Sequence, residues 1–415
     1  MSANISYLIG DFEFQTSSNI VIPSLMTMFR ESDRRIFTEK DEDGEDRECI
    51  AYENTARNIK QRLDVMGFSL HNIEKAIQDN LPSFMEDEYE GENKFTSEEK
   101  KVLSSSVLSD WISACDILYR IPLRSVFDMD TEKWDTEKKQ RLKQLPVLAK
   151  VMLGDDPYGW VQQFPVDFRA AFRLCLENQD DDLLVRVDVS EAVGWSYDED
   201  DKICSDAIES FSAGLVHAEK IIILTEGETD TRILRKSLES LYPHLKDFYS
   251  FIDFSNLKVD GGAPNRVANV KMLAGSGILN RVIALFDNDT AGLEACNILS
   301  KVSMPDNIKV LRLPDIEIAK SYPTIGPTGL MNFDINGKAC GIEMFLGTDV
   351  LKDDKGVLLP VFWGGYNTKI RQYQGEVDQK GEIQKKFKKK VEKGVTPVNS
   401  PELIVLWEHI FKTFS

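Results

Sequence analysis

The chain has 415 residues, 42% of them hydrophobic, and a formal net charge of −19. That is enough apolar material for roughly two or three globular domains, while the acidic balance repels nucleic acid at long range and excludes a protein that coats it. It does not exclude an enzyme that grips phosphates through a metal ion and a local basic patch. No apolar run approaches the ~20 residues of a membrane-spanning helix, so no membrane association is expected. The start, Met1-Ser2-Ala3-Asn4, has no cationic region leading into an apolar one, so no signal peptide is expected and the protein is placed in the cytoplasm.

The six cysteines, at 49, 115, 175, 204, 296 and 340, form no CxxC pair, and the four histidines stand singly. A zinc knuckle or redox motif is therefore not expected, and metal ligation falls to carboxylates, which suit magnesium or manganese better than zinc.

Through about residue 215 the pattern is mostly helical. Ser6 to Ile9 and Phe12 to Phe14 flank Gly10-Asp11 and predict a hairpin. Ile22-Pro23 opens a short helix, and Asp33-Arg34-Arg35 reads as a solvated helix end. Residues 39–48 and 85–93 read as exposed acidic loops without EF-hand spacing. Helices are predicted over 55–66 and 70–81, separated by Gly67. Thr96 and Glu99 have the spacing of a capping box before one longer helix over 102–119. Further helices are predicted over 136–153, 166–176 and 205–217, and a strand over 182–189. Trp111, Trp160 and Trp195 are assigned to core or interface. No catalytic constellation stands out in this half, which reads as a recognition or assembly module.

Residues 216–350 change character. Ile221-Ile222-Ile223-Leu224 stops at Thr225-Glu226-Gly227, and a helical pattern follows. Val282-Ile283-Ala284-Leu285-Phe286 stops at Asp287-Asn288-Asp289, with Gly292 beyond. A short, continuous apolar run is how a strand buried on both faces reads. Further strands are predicted over 251–259 and 308–313, with helices over 230–241, 265–274 and 290–302 and a tight turn at Gly261-Gly262. Alternation of strand and helix predicts an α/β fold with a parallel sheet covered on both faces. Acids at strand carboxyl ends stand where such sheets bind ligands. Asp287 and Asp289 project similarly and can share one ion, and Glu226 can ligate or act as general acid or base. Asp230 is either a ligand or a cap of the first helix. A Pro- and Gly-rich loop over 314–329 and a hairpin turning at Asn336-Gly337 are predicted next.

From about 351 to 415 the chain reads as a basic extension. A strand over 357–363 ends in Gly364-Gly365 and precedes Tyr366, Lys369, Arg371, Tyr373 and Lys380. Lys385, Lys386, Lys388, Lys389 and Lys390 make the one dense basic run in the sequence. Basic residues among aromatics suit phosphate contact, and a solvated helix face is the equal alternative. Residues 403–414 predict a terminal amphipathic helix.

The stretch Glu226-Gly227 with Asp230, then Asp287-x-Asp289 with Gly292, each after an apolar strand, resembles the Toprim domain. The first half, with Gly10-Asp11-Phe12 and Arg30-Glu31-Ser32-Asp33, looks like the HEPN/Toprim-associated domain that often precedes it. The resemblance implies a Rossmann-like Toprim fold and a metal-dependent nuclease acting on DNA or RNA. It further implies a setting in bacterial antiphage defence, with a defence-system partner such as an ATPase. It gives Asp287 and Asp289 the role of metal ligands and Glu226 that of ligand or acid/base. OLD-type Toprim nucleases carry an additional acid after the DxD, and Glu343 is the candidate, with an ordinary exposed acid as the alternative and Asp315 as a competitor. Primase and topoisomerase readings lack a zinc module and a marked nucleophilic tyrosine. A binding-only Toprim assembly subunit is the other alternative. A homo-oligomer is expected on general grounds.

Overall fold

The computed structural model describes residues 3–40, 46–86, 88–89, 92–93, 95–120, 145–153, 164–212, 220–252, 263–396 and 399–414. The core of the acidic loop at 41–45, the first part of the 136–153 helix, Trp160, the end of the 205–217 helix, most of the 251–259 strand and Gly261-Gly262 lie outside them. The chain divides into two compact units, Met1–Ala218 and Glu219–Phe414.

The first unit is built on a five-stranded antiparallel sheet. Its strands are β1 (Asn4–Ile9), β2 (Phe12–Ser18), β3 (Arg34–Lys40), β4 (Asp46–Thr55) and β7 (Leu184–Asp188), in the order β2-β1-β7-β4-β3. β5 (Glu88–Tyr89) and β6 (Glu92–Asn93) form a separate small ribbon. The helices are α1 (Pro23–Met26), α2 (Ala56–Met66), α3 (Leu70–Glu86), α4 (Ser97–Ser105), α5 (Leu108–Leu118), α6 (Val147–Leu153), α7 (Phe168–Cys175) and α8 (Ile203–Ser212). Their apolar faces join the sheet in one core that includes Tyr7, Phe14, Tyr52, Leu63, Trp111 and Phe172.

Four expectations fail in this unit: the stretch at 85–93 is not simply loop, since Met85 and Glu86 end α3 and β5 pairs with β6, and three others fail for local reasons. The helix expected over 102–119 is two helices. Ser106 bonds its own Oγ back to the Val102 carbonyl at 2.8 Å, and Asp110 accepts from the Val107 amide at 2.9 Å to cap a new start. Residues 39–40 and 46–48 are not loop but the tips of the β3–β4 hairpin. Asp33 is not solvated. It is buried and receives Arg62 Nη1 at 2.5 Å and Arg62 Nη2 at 3.2 Å. The Asn54 amide at 2.7 Å and the Arg30 backbone at 2.9 Å complete its shell. Arg62 also donates to the Met28 carbonyl at 2.9 Å, so one ion pair ties the segment before β3, β4 and α2 together.

The second unit centres on a four-stranded parallel sheet. β8 (Ile221–Leu224), β9 (Tyr249–Phe251), β10 (Val282–Phe286) and β12 (Ile308–Arg312) stand in the order β12-β10-β8-β9. α9 (Glu228–Leu241), α10 (Ala263–Gly275) and α11 (Thr290–Leu299) are the connecting helices. Every residue of β10 is buried, as its unbroken apolar run requires. Val267 and Val270 of α10 and Ala295 and Leu299 of α11 pack with Val282, Ala284 and Phe286 on one face.

The rest of the unit elaborates this sheet. β11 (Asn288–Asp289) pairs with β15 (Ala339–Cys340). A second sheet has the order β14-β13-β16-β17, with β13 (Tyr322–Gly326), β14 (Gly329–Phe333), β16 (Val361–Asn367) and β17 (Gln372–Val377). The hairpin is thus β13–β14, and Asn336-Gly337 does not close one. The Asn336 side chain is committed elsewhere, accepting from the Ile316 amide at 3.1 Å and donating to its carbonyl at 3.2 Å. Gly364-Gly365 does not end a strand either; both lie inside β16, where the register shifts between Trp363 and Tyr366.

The basic extension is not a separate segment. α12 (Lys380–Lys393) and α13 (Pro401–Phe411) belong to the second unit. Trp407 of α13 is buried and donates to Ser237 Oγ of α9 at 2.9 Å.

Breaking the Asp33–Arg62 pair leaves one charge buried and uncompensated, which costs about 3–5 kcal/mol. Urea denaturation of Asp33→Ala should show a loss of that size, with Asp33→Leu/Arg62→Met recovering much of it. A loss below about 1 kcal/mol would show that the pair carries little of the unit's stability.

Candidate functional site

β8 and β10 are neighbours, yet the chain leaves β8 toward β9 on one side and leaves β10 toward β12 on the other. Their carboxyl ends therefore flank the topological switch point of the sheet, where such folds open a crevice. Glu226 follows β8 and Asp287 follows β10. Both line an open cleft of about 760 Å³, together with Asp289 and Glu343.

Glu343 reaches the cleft because the chain returns. Asn288 and Asp289 pair with Cys340 and Ala339, which seats the turn Ile342–Phe345 beside the end of β10. Glu343 is buried there, so its reading as an exposed acid is corrected. Gln384 Nε2 donates to Glu343 Oε1 at 2.9 Å, and Lys380 Nζ lies 3.4 Å from it. Asp315 is a partner of the Asn288 amide at 2.8 Å and does not line the cleft.

The carboxylates repel one another. Burial pushes Asp287 well above the usual carboxylate range, and Glu226, Asp230, Asp289 and Glu343 add to the shift. Asp230 is pushed up to about 7 by burial, then by Glu343 and Glu226. It does not cap α9, whose N-cap, Gly227, has no side-chain bond, so the cap alternative falls away. Burial also raises Asp289, against the Gly292 amide that donates to its Oδ1 at 2.7 Å.

Four further residues hold this arrangement, and two of them, Arg266 and Asn288, carry no signal in the sequence. Arg266 is buried, pairs with Glu226, donates to the Leu285 carbonyl at 2.7 Å and stacks 4.2 Å over the Phe286 ring. Asn288, between the two aspartates, is fully buried and bonds to the Pro314 carbonyl, Asp315 and the Gly337 amide. Lys380 lies between Glu343 and Glu376; burial works against its charge, but Glu343, Asp287, Glu376 and Asp230 outweigh that and push its pKa up. Gly292 is required by space, since a Cβ there would lie 2.1 Å from the Asp287 carbonyl oxygen.

Of the other basic residues expected to meet phosphates, none lines the cleft. Lys390 is corrected to a structural role. Positions 383, 387 and 390 form the inward face of α12, and Lys390 Nζ bonds to the carbonyls of Leu346 and Asn399 and to Asp349. Lys369 pairs with Glu294 at 2.6 Å, Lys385 with Glu382 at 2.7 Å, and Lys386 donates to the Lys352 carbonyl at 2.7 Å. Arg371, Lys388 and Lys389 are exposed.

The donor set is all carboxylate oxygen, the chemistry that hard divalent cations take. Its raised pKa values mark negative charge without a full counter-charge. As the side chains stand, no three among the described residues converge closely enough to hold an ion. Glu226 is turned to Arg266, and one Asp289 oxygen to Gly292.

Fold and site together define an α/β protein with an acidic cleft at the switch point of a parallel sheet. A profile of the HEPN/Toprim N-terminal domain 1 matches residues 1–210, and the chain belongs to that family. No curated protein and no solved structure matches the chain.

A carboxyl whose pKa rises on folding contributes stability that is complete below its unfolded value and is lost as pH climbs through the folded one. For Asp230 that window runs from 3.8 to about 7. Metal-free Asp230→Asn should therefore match the parent near pH 4 and exceed it at pH 8. The advantage grows by about 1.4 kcal/mol for each pH step of one across the window, reaching a few kcal/mol. Urea titrations in EDTA across that range check this, and a difference that stays flat with pH would contradict it.

Proposed function

We propose that the second unit is a Toprim-type catalytic module that cleaves phosphodiester bonds in DNA or RNA with magnesium or manganese. One observation carries the reading: Glu226, Asp287, Asp289 and Glu343, from three separate segments, line a single cleft beside a raised Asp230. The family of the N-terminal unit, Toprim-associated by its description, supports it. We read the whole chain as an effector of bacterial antiphage defence, with the N-terminal unit sensing a trigger, a partner or the substrate.

Asp287, Asp289, Glu226, Asp230 and Glu343 are the residues that would hold the metal. When bound, it supplies charge neutralisation at the phosphate and at the leaving oxygen. Glu226 must leave Arg266 to join the set or to take a proton as general base. Lys380 brings a cation to the same cleft, where it can meet a non-bridging phosphate oxygen. Asn288 keeps Asp287 and Asp289 in register by anchoring the loops on either side.

A second reading, a module that binds without cleaving, draws on the lack of a preformed ion site among the described residues. Purified protein incubated with magnesium or manganese and supercoiled plasmid, linear DNA or total transfer RNA separates the two. Cleavage of at least one substrate is expected, with Asp287→Asn reducing the rate by about 100-fold or more, since even partners behind metal ligands are worth 10–100-fold. Full activity in that variant would remove the site from the account.

A further inference from the structure

One stretch of the cleft's lining carries aromatic side chains along with Glu376. It is the β16–β17 hairpin, which contributes Phe362, Trp363, Gly364, Gly365, Tyr366 and Asn367. Phe362 is 44% exposed and Tyr366 50%, and Tyr373 beside it is 55% exposed. The Tyr366 and Tyr373 rings meet edge to face at 5.0 Å. Aromatic side chains left this open on a strand are not core. The register pairs Tyr366 with Tyr373 and Phe362 with Glu376, so the two tyrosines share one face of the hairpin and Phe362 stands on the other; a Cβ at Gly365 would meet nothing within 4 Å. The same cleft is poor in free positive charge. Lys380, the one lysine in its lining among the described residues, is held by two glutamates, and the whole chain is strongly acidic.

From this we infer that the hairpin is a stacking platform for unpaired bases, and that the cleft takes single-stranded nucleic acid. The inference rests on the nuclease reading and names its substrate class. A duplex hides the faces of its bases and offers chiefly phosphates, which this surface is badly charged to hold. A single strand exposes base faces that rings can cover, and such stacking tolerates any sequence. Tyr366 and Tyr373 would hold the bases while a neighbouring phosphate lies toward Asp287 and Glu343. Affinity then comes mainly from stacking, so it should fall only shallowly with salt.

Fluorescence anisotropy of the full chain in calcium tests this. The probes are oligo-dT and oligo-rU of about twelve nucleotides, within the usual site sizes, a same-length strand with abasic positions, and a duplex. Both intact single strands should bind, or one of them if the sugar is also read, while the abasic strand and the duplex bind at least roughly 10-fold more weakly. Tyr366→Ala and Tyr373→Ala should each lose roughly 10- to 100-fold on the intact strand and almost nothing on the abasic one. Tyr366→Phe should retain binding, which shows that the ring and not the fold is what the alanine variant loses. Equal binding of intact and abasic strands, or tighter binding of duplex, would overturn the platform while leaving the nuclease reading intact. Cleavage of none of the substrates with any metal, alongside base-dependent binding, would instead sink the nuclease reading and keep the platform.

Discussion

The second unit is organised around a repulsion. Five carboxylates, Glu226, Asp230, Asp287, Asp289 and Glu343, interact closely enough that burial and mutual charge raise three of them above their ordinary range. A fold does not gather like charges in a low-dielectric crevice without a compensating contact elsewhere. Arg266 and Lys380 give part of the counter-charge, each tied to one glutamate of the set. The remainder is what makes the cleft a candidate for a divalent cation rather than a structural salt-bridge network.

Much of the surrounding architecture serves to keep that cluster in place. The parallel sheet delivers Glu226 and Asp287 from adjacent strand ends. The excursion from Pro314 to Gly341 returns to pair with Asn288-Asp289 and so brings Glu343 in from more than fifty residues away in sequence. Glycines stand where the backbone has no room. A Cβ on Gly292 would strike the Asp287 carbonyl, and one on Gly341 would lie 3.1 Å from Glu343 Oε2 and 3.5 Å from Asp287 Oδ2. The packing of α12 and α13 on the same unit explains why a stretch rich in lysine is structural on one face and solvated on the other.

β8 and β10 with their acidic ends were legible because buried parallel strands announce themselves as unbroken apolar runs closed by polar residues, whereas β9 lies over Tyr249–Phe251, ahead of the stretch at 251–259 read as its strand. Asp230 and Glu343 were legible as candidate ligands but not separable from a helix cap and an exposed acid, since what decides between them is a helix start without a side-chain cap and a long-range strand pairing. Arg266 and Asn288 were not legible, because an arginine in a helix and an asparagine between aspartates carry no pattern until the fold brings them together. Lys380 was legible only as one cation of a basic tail, not as a neighbour of Glu343. The same limit misassigned Lys390, where the helix period of Ile383 and Phe387 outranks the local charge run. In the first unit, Asp33 looked like a surface acid because its partner Arg62 lies 29 positions away.

The most direct test of the central claim, that the carboxylate cluster is a metal site, is calorimetric titration of manganese into the full chain near pH 7, repeated in buffers of different ionisation enthalpy. Saturable binding accompanied by proton release is expected, because a group titrating at about 7 must give up its proton to ligate. The release should disappear together with the binding in Asp287→Asn. Absence of saturable binding in the parent, or unchanged binding in that variant, would contradict the account.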